Sequence, residues 1–185
     1  MASLVRLIDL ITRNVGVFAA WLTAPLILAM VWEVFSRYAL DAPTFWAFEI
    51  GYMLMGASLL LGIAYAVQMR AHVRVNFLYD SMPARGQALV DLLGFVLLLP
   101  VVVWMTWGLW NYLAEAYANG EVSGESAWIP VVWPFRMTFF VGFALFALQV
   151  IIEVIACVYT LAGKAVPGRP LPEVSTNSED PAGAH

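Results

Sequence analysis

Four long uncharged runs dominate the pattern of apolar and polar positions along the chain. They cover residues 14–32, 50–69, 92–114 and 137–152, and the charged side chains lie almost entirely between them. A helix needs about 20 apolar residues to cross the roughly 30 Å hydrocarbon layer of a bilayer, and its backbone groups must be hydrogen-bonded internally. The pattern predicts an all-α integral membrane protein with four transmembrane helices, at about 14–36, 45–69, 84–112 and 132–161.

The segments outside these helices have patterns of their own. Residues 4–11 place leucine and isoleucine on one helical face and charges off it, which predicts an amphipathic interfacial helix at the N-terminus. The stretch HVRVNFLYDSM alternates apolar and polar residues, and we expect it to lie in the interface between helices 2 and 3. Residues 1–163 therefore form a single membrane domain, and the Pro-, Ser- and Gly-rich residues 164–185 are predicted to be a disordered tail.

Composition agrees with a membrane protein and argues against an enzyme. The chain is 62% hydrophobic and 12% charged, whereas soluble domains are about 45–50% apolar and about 25% charged. The only cysteine is Cys157, and the only histidines are His72 and His185. Bis-histidine haem ligation and a cysteine-rich metal site are thereby disfavoured, and no catalytic motif occurs. We expect no cofactor, no bound metal, no enzymatic activity and no nucleic-acid partner.

Basic residues are concentrated on one side of the predicted topology. Seven of the nine flank the termini or the helix 2–3 connection, and short basic loops stay cytoplasmic. Both termini are therefore predicted to be cytoplasmic. Five of these residues are candidates for anchoring the chain to the membrane surface: Arg6, Arg13, Arg70, Arg74 and Arg85.

Tryptophans are concentrated near the opposite ends of the helices. Interfacial enrichment of tryptophan explains such a belt without a special function. Because acidic loops lie beside it, a docking face for another protein is the alternative. The belt consists of Trp32, Trp46, Trp110, Trp128 and Trp133.

Three charged residues stand at the edges of helices 1 and 2. Glu33 and Arg37 have the i, i+4 spacing that favours an ion pair, and Glu49 lies in the first turns of helix 2, where the helix dipole favours an anion. We expect Glu49 to be near enough to meet Arg37. A tie within the helix 1–2 hairpin, a contact with a partner subunit and a proton-carrying carboxylate all remain open.

Other candidates lie deeper in the sequence of helices. Gly56 and Gly62 belong to a small-residue face of helix 2 that favours close helix packing, either within this chain or against another membrane subunit. Glu153 lies inside the fourth predicted helix, where it either faces protein or water, reaches toward the interface, or serves an ion. His72 either orders the turn after helix 2 or senses pH or lipid headgroups.

The stretch FSRYALDAPTFWAFEIGYMLMGASLLLGIAYAVQMRAHVRVNFL resembles the small membrane subunit, of the DctQ type, of tripartite ATP-independent periplasmic (TRAP) transporters. The matching features are Arg37-Tyr38, Trp46 with Glu49, Gly56 with Gly62, and His72-Val73-Arg74-Val75. The later WPFRMTFFVGFALFALQ also resembles the family's fourth helix. Two positions depart from the family pattern: Tyr52 stands where an arginine is frequent, and Asn76 where an aspartate is frequent.

This resemblance implies a function in secondary transport. A periplasmic binding protein would deliver an organic acid or similar solute, and a large multi-helix permease subunit would import it by sodium symport. The small subunit would anchor and scaffold the large one among the lipids of a bacterial or archaeal cytoplasmic membrane. The alternative is a stand-alone, proton-coupled small multidrug exporter. Such a protein needs a glutamate near the middle of helix 1, whereas Glu33 lies at the predicted outer end.

Overall fold

The computed structural model describes residues 2–69 and 84–164. Within those residues it is all-helical, with five helices that form four membrane-spanning candidates. The helices are α1 (Ala2–Trp21), α2 (Thr23–Ala39), α3 (Ala47–Gln68), α4 (Ala84–Asn119) and α5 (Trp133–Leu161). The predicted fold class, a protein with four transmembrane helices, is confirmed.

α1 and α2 form one long span with a single interruption. At Leu22 the backbone N–H is shared between the carbonyls of Phe18 and Ala19, both at 3.2 Å. Pro25 follows in the first turn of α2 and has no N–H to donate to the carbonyl four residues earlier. The predicted N-terminal amphipathic segment is therefore continuous with the first transmembrane helix.

The fourth helix in chain order, α4, is longer than the uncharged run predicted. The run ends before Glu115, but the helix continues to Asn119. Gly120 follows with φ +59°, the left-handed conformation that commonly ends a helix. Pro100 lies inside the helix, which is continuous through it.

The helices form an open row and do not close into a four-helix bundle. α4 packs against α5, α5 against α3, and α3 against both α1 and α2, while α1 also touches α5. The common core joins α3, α4 and α5 through Ala64, Val67, Val102, Phe146 and Val150. Each span has an 18-residue segment of highest hydropathy. Within that segment, 44% of the residues are buried in α5 but only 11% in α4. α5 is therefore the centre of the row and α4 its edge.

The row of helices has two ends. The hairpin end contains the α2–α3 turn (residues 40–46) and the α4–α5 connection (residues 120–132). The terminal end contains the first turns of α1 and α4 and the last turns of α3 and α5.

Candidate functional site

The α2–α3 turn is held by one carboxylate at the hairpin end. Glu33 accepts hydrogen bonds from Arg37 through Oε1, with Nε at 2.9 Å, and from Thr44 through Oε2, with the backbone N–H at 2.9 Å and the hydroxyl also donating. Ser36 closes the same turn, since its carbonyl accepts from the Ala42 N–H at 3.0 Å and its hydroxyl donates to the Ala42 carbonyl. Glu33 therefore joins Arg37, at the end of α2, to Thr44 in the α2–α3 turn.

Glu49 makes a different contact from the expected one. Its side chain is fully buried, and its Oε1 accepts a hydrogen bond of 2.7 Å from the hydroxyl of Ser123. Ser123 lies in the α4–α5 connection, 74 residues away. Glu49 therefore pins that connection over the start of α3, whereas the guanidinium of Arg37 is bound to Glu33.

The α4–α5 connection is itself an ordered structure. A β-bridge joins Val122 to Val131, and the Ser123 N–H donates to the Pro130 carbonyl at 2.7 Å. Arg136 locks its base: the guanidinium pairs with Glu121 at 2.5 Å, donates to the Tyr112 carbonyl at 3.1 Å, and lies 3.6 Å from the centre of the Tyr112 ring. The α4–α5 connection is therefore held by backbone hydrogen bonds, an ion pair and a ring contact.

A second buried polar cluster lies at the terminal end. The amide of Gln68 donates to the main-chain carbonyl of Asp9 at 2.9 Å, and the amide of Gln149 donates to the Asp9 carboxylate at 3.3 Å. Thr12, one turn further along α1, is also fully buried. These residues join α1, α3 and α5.

The predicted apolar stripe of α1 faces mostly outward, on a surface that also carries Arg6 and Arg13. Of the predicted apolar stripe, Leu4, Leu7 and Ile11 are exposed, while Thr12 turns inward. In a membrane this arrangement is reasonable, because lipid accepts leucine and isoleucine whereas polar groups need partners inside the protein.

Glu153 lies one turn beyond Gln149 on α5 and is only 2% exposed. Its side chain is therefore surrounded by protein and does not lie on the lipid-facing surface. Of the possibilities that the sequence leaves open for Glu153, a carboxylate that faces protein agrees with this position.

Small residues allow close helix contacts at Gly56, one of the two glycines that the sequence singled out, and at Gly142. A Cβ built on Gly142 of α5 would lie 2.5 Å from the backbone oxygen of Leu60 in α3, so the two backbones meet there. A Cβ on Gly56 would lie 3.0 Å from the ring of Phe135, so Gly56 belongs to the same α3–α5 interface. A Cβ on Gly62 would have nothing within 4 Å. A side chain at Gly62 would therefore meet no other part of the described structure.

The remaining candidate residues divide into exposed, half-buried and undescribed positions. Trp46 is half-buried and is the residue that precedes the first turn of α3. Arg6 and Arg13 are exposed on α1. Arg70, His72 and Arg74 lie outside the described residues, and of Arg85 only its place in the first turn of α4 is described.

The described polar groups are suited to holding helices together. No group of three or more metal-ligating histidine, cysteine, aspartate or glutamate side chains occurs in residues 2–69 and 84–164. The residues that make these contacts and that the sequence did not single out are Asp9, Gln68, Ser123, Gly142 and Gln149.

Comparison with known proteins identifies relatives of this architecture. The family model described as "Tripartite ATP-independent periplasmic transporters, DctQ component" matches residues 26–159. A curated relative, the sialic acid TRAP transporter small permease protein SiaQ of Vibrio cholerae, is 29% identical over 98 residues. That alignment covers 53% of this chain and 54% of the relative, so the matched region spans about half the length of each.

Proposed function

The chain belongs to the DctQ component family of TRAP transporters, and on that premise we propose that it is a scaffold that holds the large permease subunit in the membrane. As a small TRAP permease it is a multi-pass protein of the bacterial inner membrane. In our proposal the large subunit imports an organic acid by sodium symport, and a periplasmic binding protein delivers that solute.

The open row of helices is the observation that carries this proposal. A closed bundle hides the inner faces of all its helices. Here, in the most apolar segment of each span, only 11% of the residues of α4 and 17% of those of α1–α2 are buried. Faces of this extent can be covered by lipid or by another membrane protein. A scaffold needs such surfaces, because it must contact its partner along the length of its helices.

The distribution of buried polar groups also supports a scaffold. The described clusters lie near the two ends of the row, around Glu49 and around Asp9. Between them, residues 137–148 of α5 read MTFFVGFALFAL, and the one hydroxyl, Thr138, donates to the Phe135 carbonyl. A transported anion needs donors or helix ends near the midplane. Near the midplane the Ser58 and Thr106 hydroxyls donate to carbonyls of their own helices, and Trp104 lies on the outer side of α4. In our proposal the solute therefore crosses through the large subunit.

The proposed orientation places the hairpin end in the periplasm. It follows from the cytoplasmic preference of the basic flanks. The α4–α5 connection and the exposed aromatic residues of the α2–α3 hairpin, such as Tyr38 and Phe45, would then face the binding protein.

A proton-coupled exporter is not favoured by the family assignment or by the contacts of Glu33. A carboxylate that cycles protons must be able to exchange ligands. Both oxygens of Glu33 are engaged by Arg37 and Thr44 in a turn. That arrangement supports a structural role.

Co-expression with a large TRAP permease subunit and a periplasmic binding protein from the same organism tests the proposal. We expect an affinity tag on the chain to retain the large subunit at constant stoichiometry after detergent extraction. Sodium-dependent uptake should require both membrane subunits and the binding protein. Sialic acid, itself a carboxylic acid, is the first solute to try because the curated relative is named for it. Purification of the chain without the large subunit, combined with solute transport by the chain alone, would contradict the proposal.

A further inference from the structure

α4 has two opposite apolar seams, of which only one is used within this chain. Against α5 it packs a seam with alternating steps of three and four residues. That spacing returns to one face of a helix, as in a coiled coil. The α5-facing seam is Leu99, Val102, Thr106, Leu109, Leu113 and Ala116, and each of these is buried or half-buried.

The second seam has the same spacing and lies on the far side of the helix. Steps of four, three, four and three residues connect its members, all of which are exposed: Leu97, Val101, Trp104, Gly108 and Asn111. At about 100° per residue, its centre lies roughly 150° from the centre of the α5-facing seam. These five residues form the open seam.

The depth of Trp104 argues for a protein neighbour at the open seam. The uncharged run 92–114 is 23 residues long and is centred on Val103, so Trp104 lies near the middle of the bilayer. Its side chain is 73% exposed. Tryptophan prefers the membrane interfaces, and its indole N–H usually finds an acceptor when it is removed from water. Lipid tails at mid-depth offer no acceptor, whereas a neighbouring helix can.

Gly108 and Asn111 add the features of a helix contact in lipid. A Cβ built on Gly108 would have nothing within 4 Å, so the backbone is open to a close neighbour. Asn111 is exposed one turn further along the same seam. Small residues and hydrogen-bonding amides are the groups that drive helix association where water exclusion is absent.

We propose that the open seam of α4 is the docking site for a transmembrane helix of the large permease subunit. A large apolar side chain of that helix fits over Gly108, and a polar group of it meets Trp104 or Asn111. This inference rests on the proposed scaffold function and specifies which face performs it. A second copy of this chain and the lipid itself are the competing occupants.

Site-specific photo-crosslinking in membranes that contain the intact transporter tests the proposal. p-Benzoylphenylalanine replaces Trp104 in one variant and Val103 in a matched control. Val103 has the same depth and is 50% exposed, but it points about 100° away from Trp104. We expect a crosslink to the large subunit from position 104 and a much weaker one from position 103. A crosslinked product with the mass of two copies of this chain, or crosslinks to lipid alone, would overturn the proposal.

Co-purification of the two subunits provides a second, independent readout. Gly108→Phe should lower the amount of large subunit retained by about tenfold, equivalent to about 1.4 kcal/mol of binding free energy. Val103→Phe adds similar bulk at the same depth and should leave retention nearly unchanged. Equal retention of the large subunit by both variants would show that the open seam is not its docking site.

The outcomes separate this inference from the scaffold function. If the wild-type chain retains the large subunit but position 104 does not crosslink to it, the scaffold function stands and the open seam is wrong. If the wild-type chain retains no large subunit, both are wrong.

Discussion

A close backbone approach between α3 and α5 gives a graded prediction for three glycine-to-alanine variants. α3 and α5 run parallel and meet at Gly142, where an added Cβ would lie 2.5 Å from the Leu60 oxygen and 2.9 Å from its carbonyl carbon. Ordinary C···O contacts are about 3.3–3.6 Å even where the C–H donates weakly. The helices would have to separate by up to about 1 Å, because neither contacted atom belongs to a flexible side chain.

The magnitudes follow from two opposing effects. Overpacking of a filled interface costs about 1–3 kcal/mol, whereas replacing a helical glycine with alanine gains about 0.5–1 kcal/mol. Gly142→Ala should therefore destabilise the chain by about 1–2 kcal/mol. Gly62→Ala adds no contact and should be neutral or stabilising by up to about 1 kcal/mol. Gly56→Ala should fall between them, since it needs only a small shift of the Phe135 ring.

Reversible unfolding in mixed detergent micelles, followed by tryptophan fluorescence, measures these differences. The three variants share one chemical change, so differences between them report packing and not helix propensity. An unfolding free energy for Gly142→Ala equal to or above that of Gly62→Ala would refute the assignment of the α3–α5 interface.

Three further predictions concern the hairpin end and the topology. Ser123→Ala should lower the unfolding free energy by about 1 kcal/mol, and the same change should lower it much less in a Glu49→Ala background. Additive losses in a double-mutant cycle would show that the two side chains do not interact. Glu49→Arg should weaken retention of the large subunit more than Glu125→Arg does, because Glu49 is fully buried whereas Glu125 is exposed; equal retention in a pull-down would remove the role of Glu49 in assembly. A cysteine at Glu125 should react with a membrane-impermeant maleimide in intact cells, and one at Lys164 only after permeabilisation; the reverse pattern would overturn the orientation.

Much of the fold is predictable from the sequence because lipid imposes strict requirements. An uncharged run such as residues 92–114 has little alternative to a helix, since its backbone groups must be hydrogen-bonded within the segment. Helix ends are harder to predict. α4 passes Glu115 and continues to Asn119, because a helix that has left the apolar layer can carry charged residues without penalty.

The candidate site was predictable only where its partners are local. Glu33 and Arg37 are four residues apart, and their pairing follows from helical spacing. The contact of Glu49 with Ser123 depends on how α3 and the α4–α5 connection are placed in space. No local pattern contains that information.

The contacts of uncharged polar residues and glycines are also hard to predict from the sequence. Gln149 lies in an otherwise apolar run, and an amide gives no charge signal, yet it is fully buried against Asp9. Gly62 and Gly142 are both glycines in apolar helices, and only the packing shows that the second touches a neighbouring backbone. A sequence pattern identifies which residues permit close contact, whereas tertiary structure determines which of them make it.

Reconstitution in vesicles tests the central claim most directly. Uptake of a labelled organic acid, with an inward sodium gradient and the binding protein present, would be compared for the chain alone, the large subunit alone and the two together. The account predicts accumulation only when both membrane subunits are present, because in our proposal the solute crosses through the large subunit. Accumulation of the solute against its gradient by this chain alone would contradict it.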